Sequence, residues 1–329
     1  MKTFEFEHAT TIDGAIASVV SSEGKYYAGG TNLLDLMKGG VEAPPALVDL
    51  RRLGLTNIVA TEPGGVLIDA GVSNSAIANN ALIRTQYPVL SQSILSGATT
   101  QLRNMATAGG NLLQRTRCPY YMETQFAQCN KRAPGSGCAA KDSFNREHAL
   151  FGASHACVAI HPSDMAVALA ILDARVHVRG PDGAREVDIA DFFRLPGDEP
   201  QRDNTLRPYE LIVGIELPPS PYAEHSWYLK VRDRHSYAFA LVSVAAGLRI
   251  VDGTIEAAAI GMGGVAAMPW RVAEAEAVLI GQPPTEEVFR QAARLAMAGA
   301  RPQSQNEFKV DLGRHSVVRA LTTAAARHD

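Results

Sequence analysis

Residues 25–38 read KYYAGGTNLLDLMK and residues 106–115 read ATAGGNLLQR. In the first stretch Lys25 to Ala28 has strand character and runs straight into Gly29-Gly30, the small polar pair Thr31-Asn32 and the apolar turn Leu33-Leu34. A strand, a double glycine and a polar pair allow backbone N–H groups to approach a phosphate closely. A single such turn is weak evidence, because Gly-rich tight turns serve many purposes. The second stretch repeats the make-up: Thr107-Ala108-Gly109-Gly110-Asn111, again followed by two leucines. Two turns of this kind in one domain can clasp a diphosphate from two sides.

Working outward, short strands alternate with short helices. The alternation Phe4, Phe6 marks a first strand and residues 11–20 a helix. Strands are expected at 46–50, 65–70, 176–179, 186–189 and 211–217, and helices at 75–82 and 89–96. Ser163 reads as the N-cap of a helix with Asp164 in its first turn and Met165, Leu169 and Leu172 on one face. Residues 218–226 (PPSPYAEHS) read as a linker. Beyond it, strands at 226–232, 240–250 and 254–261 and helices at 271–280, 286–300 and 313–327 form a separate α+β unit. The expected organisation is a first domain over residues 1–220 and a second over 225–329.

The 329 residues are 46 % hydrophobic and 20 % charged with a formal net charge of −3. That is an ordinary globular composition, with no basic face for nucleic acid. No run of eighteen apolar residues is present, so no membrane span is expected. The N-terminus carries Glu5 and Glu7 and no apolar core, unlike a signal peptide. The expected location is the cytoplasm, or the periplasm by co-export with a partner that bears the signal.

All four cysteines, Cys118, Cys129, Cys138 and Cys157, fall in one loop-like stretch at 115–160 that is broken by Pro119, Pro134, Gly135 and Gly137. A structureless loop this long is usually functional. Two disulfides, a structural zinc site and a [4Fe–4S] cluster all remain open. A chain of this length needs no staples, and zinc sites favour closer cysteine pairs. Thiolates spread along a loop suit a cluster, and basic residues outnumber acidic ones there: Arg103, Arg115, Arg117, Lys131, Arg132, Lys141 and Arg146 against Glu123, Asp142 and Glu147. His148, His155 and His161 lie nearby, as surface or supporting groups.

Taken together these motifs resemble the FAD-binding (medium) subunit of molybdenum hydroxylases, the xanthine dehydrogenase and carbon monoxide dehydrogenase group. The resemblance covers essentially the whole chain and rests on Ala28 to Leu33, Ala106 to Leu112, Ser163-Asp164, Glu210-Leu211-Ile212, and Lys230 with Ala240 to Val244. It is nearest to a branch of aldehyde oxidoreductase flavin subunits that carries a cysteine-bearing insertion. The resemblance implies a fold: α+β, with a vanillyl-alcohol-oxidase (PCMH)-type FAD-binding domain of two α/β lobes and a small C-terminal α+β domain. It also implies FAD bound by Tyr26, Tyr27, Ala28, Gly29, Gly30, Thr31, Asn32, Leu33, Thr107, Ala108, Gly109, Gly110, Asn111, Asp164, Ile212 and Lys230. A [4Fe–4S] cluster on Cys118, Cys129, Cys138 and Cys157 follows from the same likeness. The implied role is electron transfer, with no catalytic residue of its own. The implied partners are a molybdenum-cofactor large subunit, a [2Fe–2S] small subunit and an external electron acceptor, assembled as a heterotrimer or a dimer of heterotrimers. A stand-alone flavin oxidase and a zinc-stabilised interaction module are the rival readings.

Overall fold

The structure, a computed structural model, describes residues 1–326. Three sheets organise it. In the first, β1 (Glu5–His8), β2 (Lys25–Tyr27) and β3 (Ala46–Asp49) run parallel in the order β1-β3-β2. The helix Ile12–Ser22 makes the crossover; Thr11 caps it by accepting from the Gly14 N–H at 3.1 Å. Ala15 and Val19 then pack on Val48. The central strand β3 is buried throughout, as a strand flanked on both edges must be.

The second sheet contains β4 (Ile58–Thr61), β5 (Gly65–Asp69), β6 (Arg175–Gly180), β7 (Gly183–Asp188) and β8 (Leu211–Leu217), all antiparallel, in the order β4-β5-β8-β6-β7. Val66, Ile68, Val176, Val178 and Ile215 line the core beneath helices Pro88–Ser96 and Asp164–Ile171. The latter is buried from Met165 to Ile171 on every face, not on the single stripe its spacing suggests. The reason is a third layer: the strand Thr254–Gly263 lies against it, and a Cβ at Gly261 would come within 3.0 Å of the Val167 carbonyl oxygen. The third sheet, β9 (His225–Val231), β10 (Val242–Val251), β11 (Thr254–Gly263) and β12 (Trp270–Arg271), runs antiparallel in the order β12-β11-β10-β9. Helices Glu286–Ala296 and Phe308–Ala325 contribute Phe289, Ala293, Val317 and Leu321 to its core. The last helix begins five residues before the expected position; the expected end at Arg327 lies outside the described residues.

The 115–160 stretch is not structureless. It holds the helical turn Pro119–Met122, a 3₁₀ turn Ala139–Lys141 and an isolated bridge between Cys129 and Cys138. Side chains satisfy its backbone, as burial requires. Asn145 donates to the Ala140 carbonyl oxygen and the Ser304 hydroxyl, and accepts from the Gln305 N–H. Arg132 donates to the carbonyls of Tyr120 and Tyr121. No helix among the described residues is long and apolar enough to cross a membrane.

One buried cation fastens the last helix to this stretch. Lys309, fully buried, donates to the carbonyl oxygens of His148 (2.9 Å) and Gly264 (2.6 Å). Burial pulls its ammonium down to about 7. Below that pH the folded chain carries a desolvated charge that the unfolded chain keeps in water. As pH rises above about 7 the folded form sheds the proton first, so stability rises. Urea unfolding of the wild type and Lys309→Met checks this. Between pH 7 and 9 the wild type should gain on the variant by roughly 1 kcal/mol per pH unit, whereas a constant difference would show that Lys309 stays charged.

Candidate flavin site

The parallel sheet and the antiparallel sheet meet where β2 ends. The turn after β2 turns on Gly30 at φ +70°, and Tyr27 supports it from behind: a Cβ on Gly30 would lie 2.7 Å from the Tyr27 ring. Gly29 is pressed backbone to backbone against the second lobe, and a Cβ there would sit 1.8 Å from the Met105 carbonyl oxygen. Only glycine permits that approach. Across the gap, Thr107 caps the helical turn Ala108–Leu112 by accepting from the Gly110 N–H at 3.2 Å. Gly109 lies against Ala70 and its N–H bonds to the Ala70 carbonyl oxygen at 2.9 Å.

Between these turns lies a cavity of about 360 Å³, within the range of small-molecule sites. Its wall includes Tyr26, Ala28 to Leu33, Thr107, Gly109, Gly110 and Ile212. Among the described residues, none of the amides of Gly29, Gly30, Thr31 and Asn32 donates to a protein acceptor. The buried Asn32 Nδ2 also lacks a partner, while its Oδ1 accepts from the Arg115 N–H at 3.0 Å. A row of undonated amides at a glycine turn is a nest for an anion. FAD's diphosphate fits that donor set, and the cavity's apolar remainder suits a flat ring. Tyr26 donates its hydroxyl to the Tyr209 carbonyl oxygen at 2.7 Å and ties the two lobes together at the cavity; burial pushes that hydroxyl's pKa up to about 12.

Not every expected residue lines this wall. Tyr27 and Ala108 stand behind it, and Asn111 accepts from the hydroxyl of Ser163 at 2.6 Å. Asp164 and Lys230 form a separate buried ion pair at 2.7 Å, joined by the Tyr228 hydroxyl donating to Asp164 at 2.7 Å. Burial, then the neighbouring Asp164, holds the Tyr228 hydroxyl in its protonated form. The wall also contains residues that no motif flagged: Leu50, Arg51, Leu55, Thr56, Asn104 and Met105. Of these only Met105 adjoins a motif segment, and proximity in sequence was the one available signal.

The [4Fe–4S] expectation is corrected. Cys118, Cys129, Cys138 and Cys157 are free thiols that border one cavity of about 10 Å³. That is room for about one water. Among the described residues, the group of His, Cys, Asp or Glu whose ligating atoms lie within 4.8 Å of one another is His177, Glu186 and Glu216, with no cysteine in it. That group sits on β6, β7 and β8 and belongs to a surface ion-pair cluster in which Arg175 reaches both glutamates at 3.4 Å. Burial pushes the Cys118 thiol up to about 12 and raises that of Cys157 as well. Cys118 Sγ contacts His148 Nε2 at 3.2 Å. The basic residues counted beside the thiols are engaged elsewhere: Lys131 with Asp203 and the Pro200 carbonyl oxygen, Arg115 with Asp203 and Glu42, Arg146 with Asp233.

Comparison with known proteins agrees with the cavity's chemistry. The family described as FAD binding domain in molybdopterin dehydrogenase matches residues 2–220, and that described as CO dehydrogenase flavoprotein C-terminal domain matches residues 227–324. The chain is 47% identical to the aldehyde oxidoreductase FAD-binding subunit PaoB of Escherichia coli K12, over 99% of this chain and 100% of that protein. It is 25% identical to the glyceraldehyde dehydrogenase medium chain of Sulfolobus acidocaldarius, over 98% of this chain and 96% of that one. A solved chain of the carbon monoxide dehydrogenase from Hydrogenophaga pseudoflava superposes with a TM-score of 0.77 at 24% identity, covering 100% of this chain and 99% of that one, and carries the same fold. The chain thus belongs to the FAD-binding subunits of the molybdopterin dehydrogenases and is an oxidoreductase subunit of a molybdenum-hydroxylase-type multi-subunit complex.

Proposed function

We propose that the chain holds FAD in the cavity between its two glycine turns and passes electrons from partner subunits to an external acceptor during aldehyde oxidation. The observation that carries this reading is the row of four amides, Gly29 to Asn32, left without protein acceptors along the cavity wall. Aldehyde as the substrate class rests on the name of the relative that is 47% identical. The substrate pocket belongs to a molybdenum-cofactor large subunit in this reading, and a [2Fe–2S] small subunit feeds electrons in. FAD, when bound, supplies a ring that takes up and releases electrons.

The chain's own residues bind and orient. The glycine turns let backbone donors reach the diphosphate, Asn32 Nδ2 adds a donor, and Ile212 covers an apolar face. The Tyr26 hydroxyl, tied to the Tyr209 carbonyl oxygen, braces the cavity wall. Asp164 and Lys230, which carry no free charge because they neutralise each other at 2.7 Å, are assigned to the ring end of the cofactor. No side chain is asked to move a proton on the substrate, in keeping with a subunit that positions a cofactor whose chemistry is its own.

Two measurements test the proposal. At Gly110 an added Cβ meets Thr107 Oγ1 at 3.0 Å and otherwise enters open space beside the wall. Gly110→Val should therefore fold with a near-normal melting profile yet lose most bound flavin, read as the 450 nm absorbance per mole of purified chain. Full flavin occupancy in this variant would take the turn out of the site. The tagged chain expressed with its neighbouring gene products should also bring down a molybdenum-containing large subunit. Recovery of the flavin-loaded chain alone, together with aldehyde turnover by it, would instead favour a stand-alone oxidase.

A further inference from the structure

We propose that Arg51 fixes the ADP half of the flavin cofactor, as the one cation of the cavity, held in place by the buried carboxylate of Asp49. The inference rests on the FAD reading above and extends it to a residue outside both glycine motifs. Among the described residues that line the cavity, the charged side chains are Arg51 and Glu210. Glu210 is already neutralised: Arg185 donates to both of its oxygens at 2.7 and 2.6 Å, and the Arg207 N–H adds a third bond at 2.7 Å. Arg51 is paired as well, with Asp49, but only through Nε and Nη2, so it is the lining cation that keeps a donor edge for a ligand.

Its geometry suits that task. Asp49 ends the central strand β3 and is 1 % exposed. Its carboxylate accepts from Arg51 Nε at 2.9 and 3.1 Å and from Nη2 at 2.8 Å, with the Arg51 N–H at 3.0 Å and His8 Nδ1 at 2.8 Å completing its shell. The fork is fixed in one plane, with the guanidinium carbon 5.4 Å from the centre of the Tyr27 ring. These bonds use Nε and Nη2, and Nη1 is not among them. A half-exposed guanidinium locked along one edge keeps its other edge for an anionic oxygen at little further entropy cost. In this cavity the anion chemistry is a nucleoside diphosphate. FMN, which keeps the riboflavin-side phosphate but lacks the AMP portion, would not reach Arg51.

The purified full-length chain, stripped of flavin, is titrated with FAD, ADP and FMN by fluorescence quenching and calorimetry. For Arg51→Met the FAD and ADP dissociation constants should rise roughly ten- to a hundredfold, the loss of a charge-assisted hydrogen bond, while FMN binding stays as in the wild type. Arg51→Lys should recover part of the loss, and Asp49→Asn, which loosens the fork, should give a smaller loss with the same FAD-over-FMN pattern. Wild-type affinity for FAD in a folded Arg51→Met chain overturns the inference and leaves the FAD reading standing. Equal weakening of FAD and FMN overturns it too, since that pattern marks a general disturbance of the cavity. A wild-type chain that binds neither FAD nor ADP overturns both.

Discussion

The structure depends on one close approach. Gly29 at the end of the first lobe lies so near the Met105 carbonyl that no side-chain carbon fits between them. This contact sets the distance between the parallel sheet and the helices on the antiparallel sheet, and the cavity is what remains beside it. Both sides of the contact are backbone, so its geometry does not vary with rotamers. Hydrogen bonds on the second side stiffen the arrangement: the Asn74 N–H reaches the Ala106 carbonyl oxygen, and the amides of Ala108 and Gly109 reach Val72 and Ala70. The amides of the first turn are thereby left with nothing of the protein to bond, which is affordable only where water or a ligand takes them.

Charge is handled differently on the two sides of the cavity. Behind Asn32, Arg115 is bound by Asp203 at 2.7 Å and Glu42 at 3.2 Å, and Asp203 also holds the buried Lys131. Burial opposes ionisation of Asp203, but Lys131 and Arg115 more than offset it and keep the carboxyl below its ordinary range. Each cation there has a protein anion. A buried network so fully paired contributes little net stability compared with apolar packing, but breaking one member would strand the others. It therefore holds position: the Arg115 N–H orients the Asn32 amide, and the same residue's guanidinium is fastened to the 195–208 loop.

Much of the fold was legible because its elements obey simple periods. Strands β5, β8, β10 and β11 are apolar runs bounded by turn residues, and they lie within two residues of where the sequence places them. The glycine turns were legible for a physical reason as well, since paired glycines at a strand end mark a backbone that must approach something. Arg51 was not legible. It follows β3 in the stretch Asp49-Leu50-Arg51-Arg52, and nothing local separates Arg51 from Arg52; only the parallel pairing of β3 between β1 and β2 brings the first of them to the cavity. Asp164 and Lys230 were legible as motif residues, but their pairing was not: Lys230 and Tyr228 on β9 both reach the Asp164 carboxylate at the helix N-terminus, apart from the residues that line the cavity.

The cysteine stretch shows why proximity in sequence is a weaker argument than the state of the atoms. The four thiols do gather in space, around one small cavity. Metal ligation needs ligating atoms that converge, however, and among the described residues the group whose atoms lie within 4.8 Å of one another is His177, Glu186 and Glu216, with no cysteine in it. The surplus of basic residues that seemed suited to offset negative sulfur is spent on carbonyls and carboxylates. Those bonds reveal what the stretch does in this fold. Through Arg115 it grips the turn at Asn32, through Lys131 it grips the 195–208 loop, and through Asn145 and His148 it meets Ser304, Gln305, Asn306 and Lys309 at the head of the last helix. A single excursion of the chain thus connects the flavin cavity to the C-terminal sheet through backbone and side-chain hydrogen bonds at both ends.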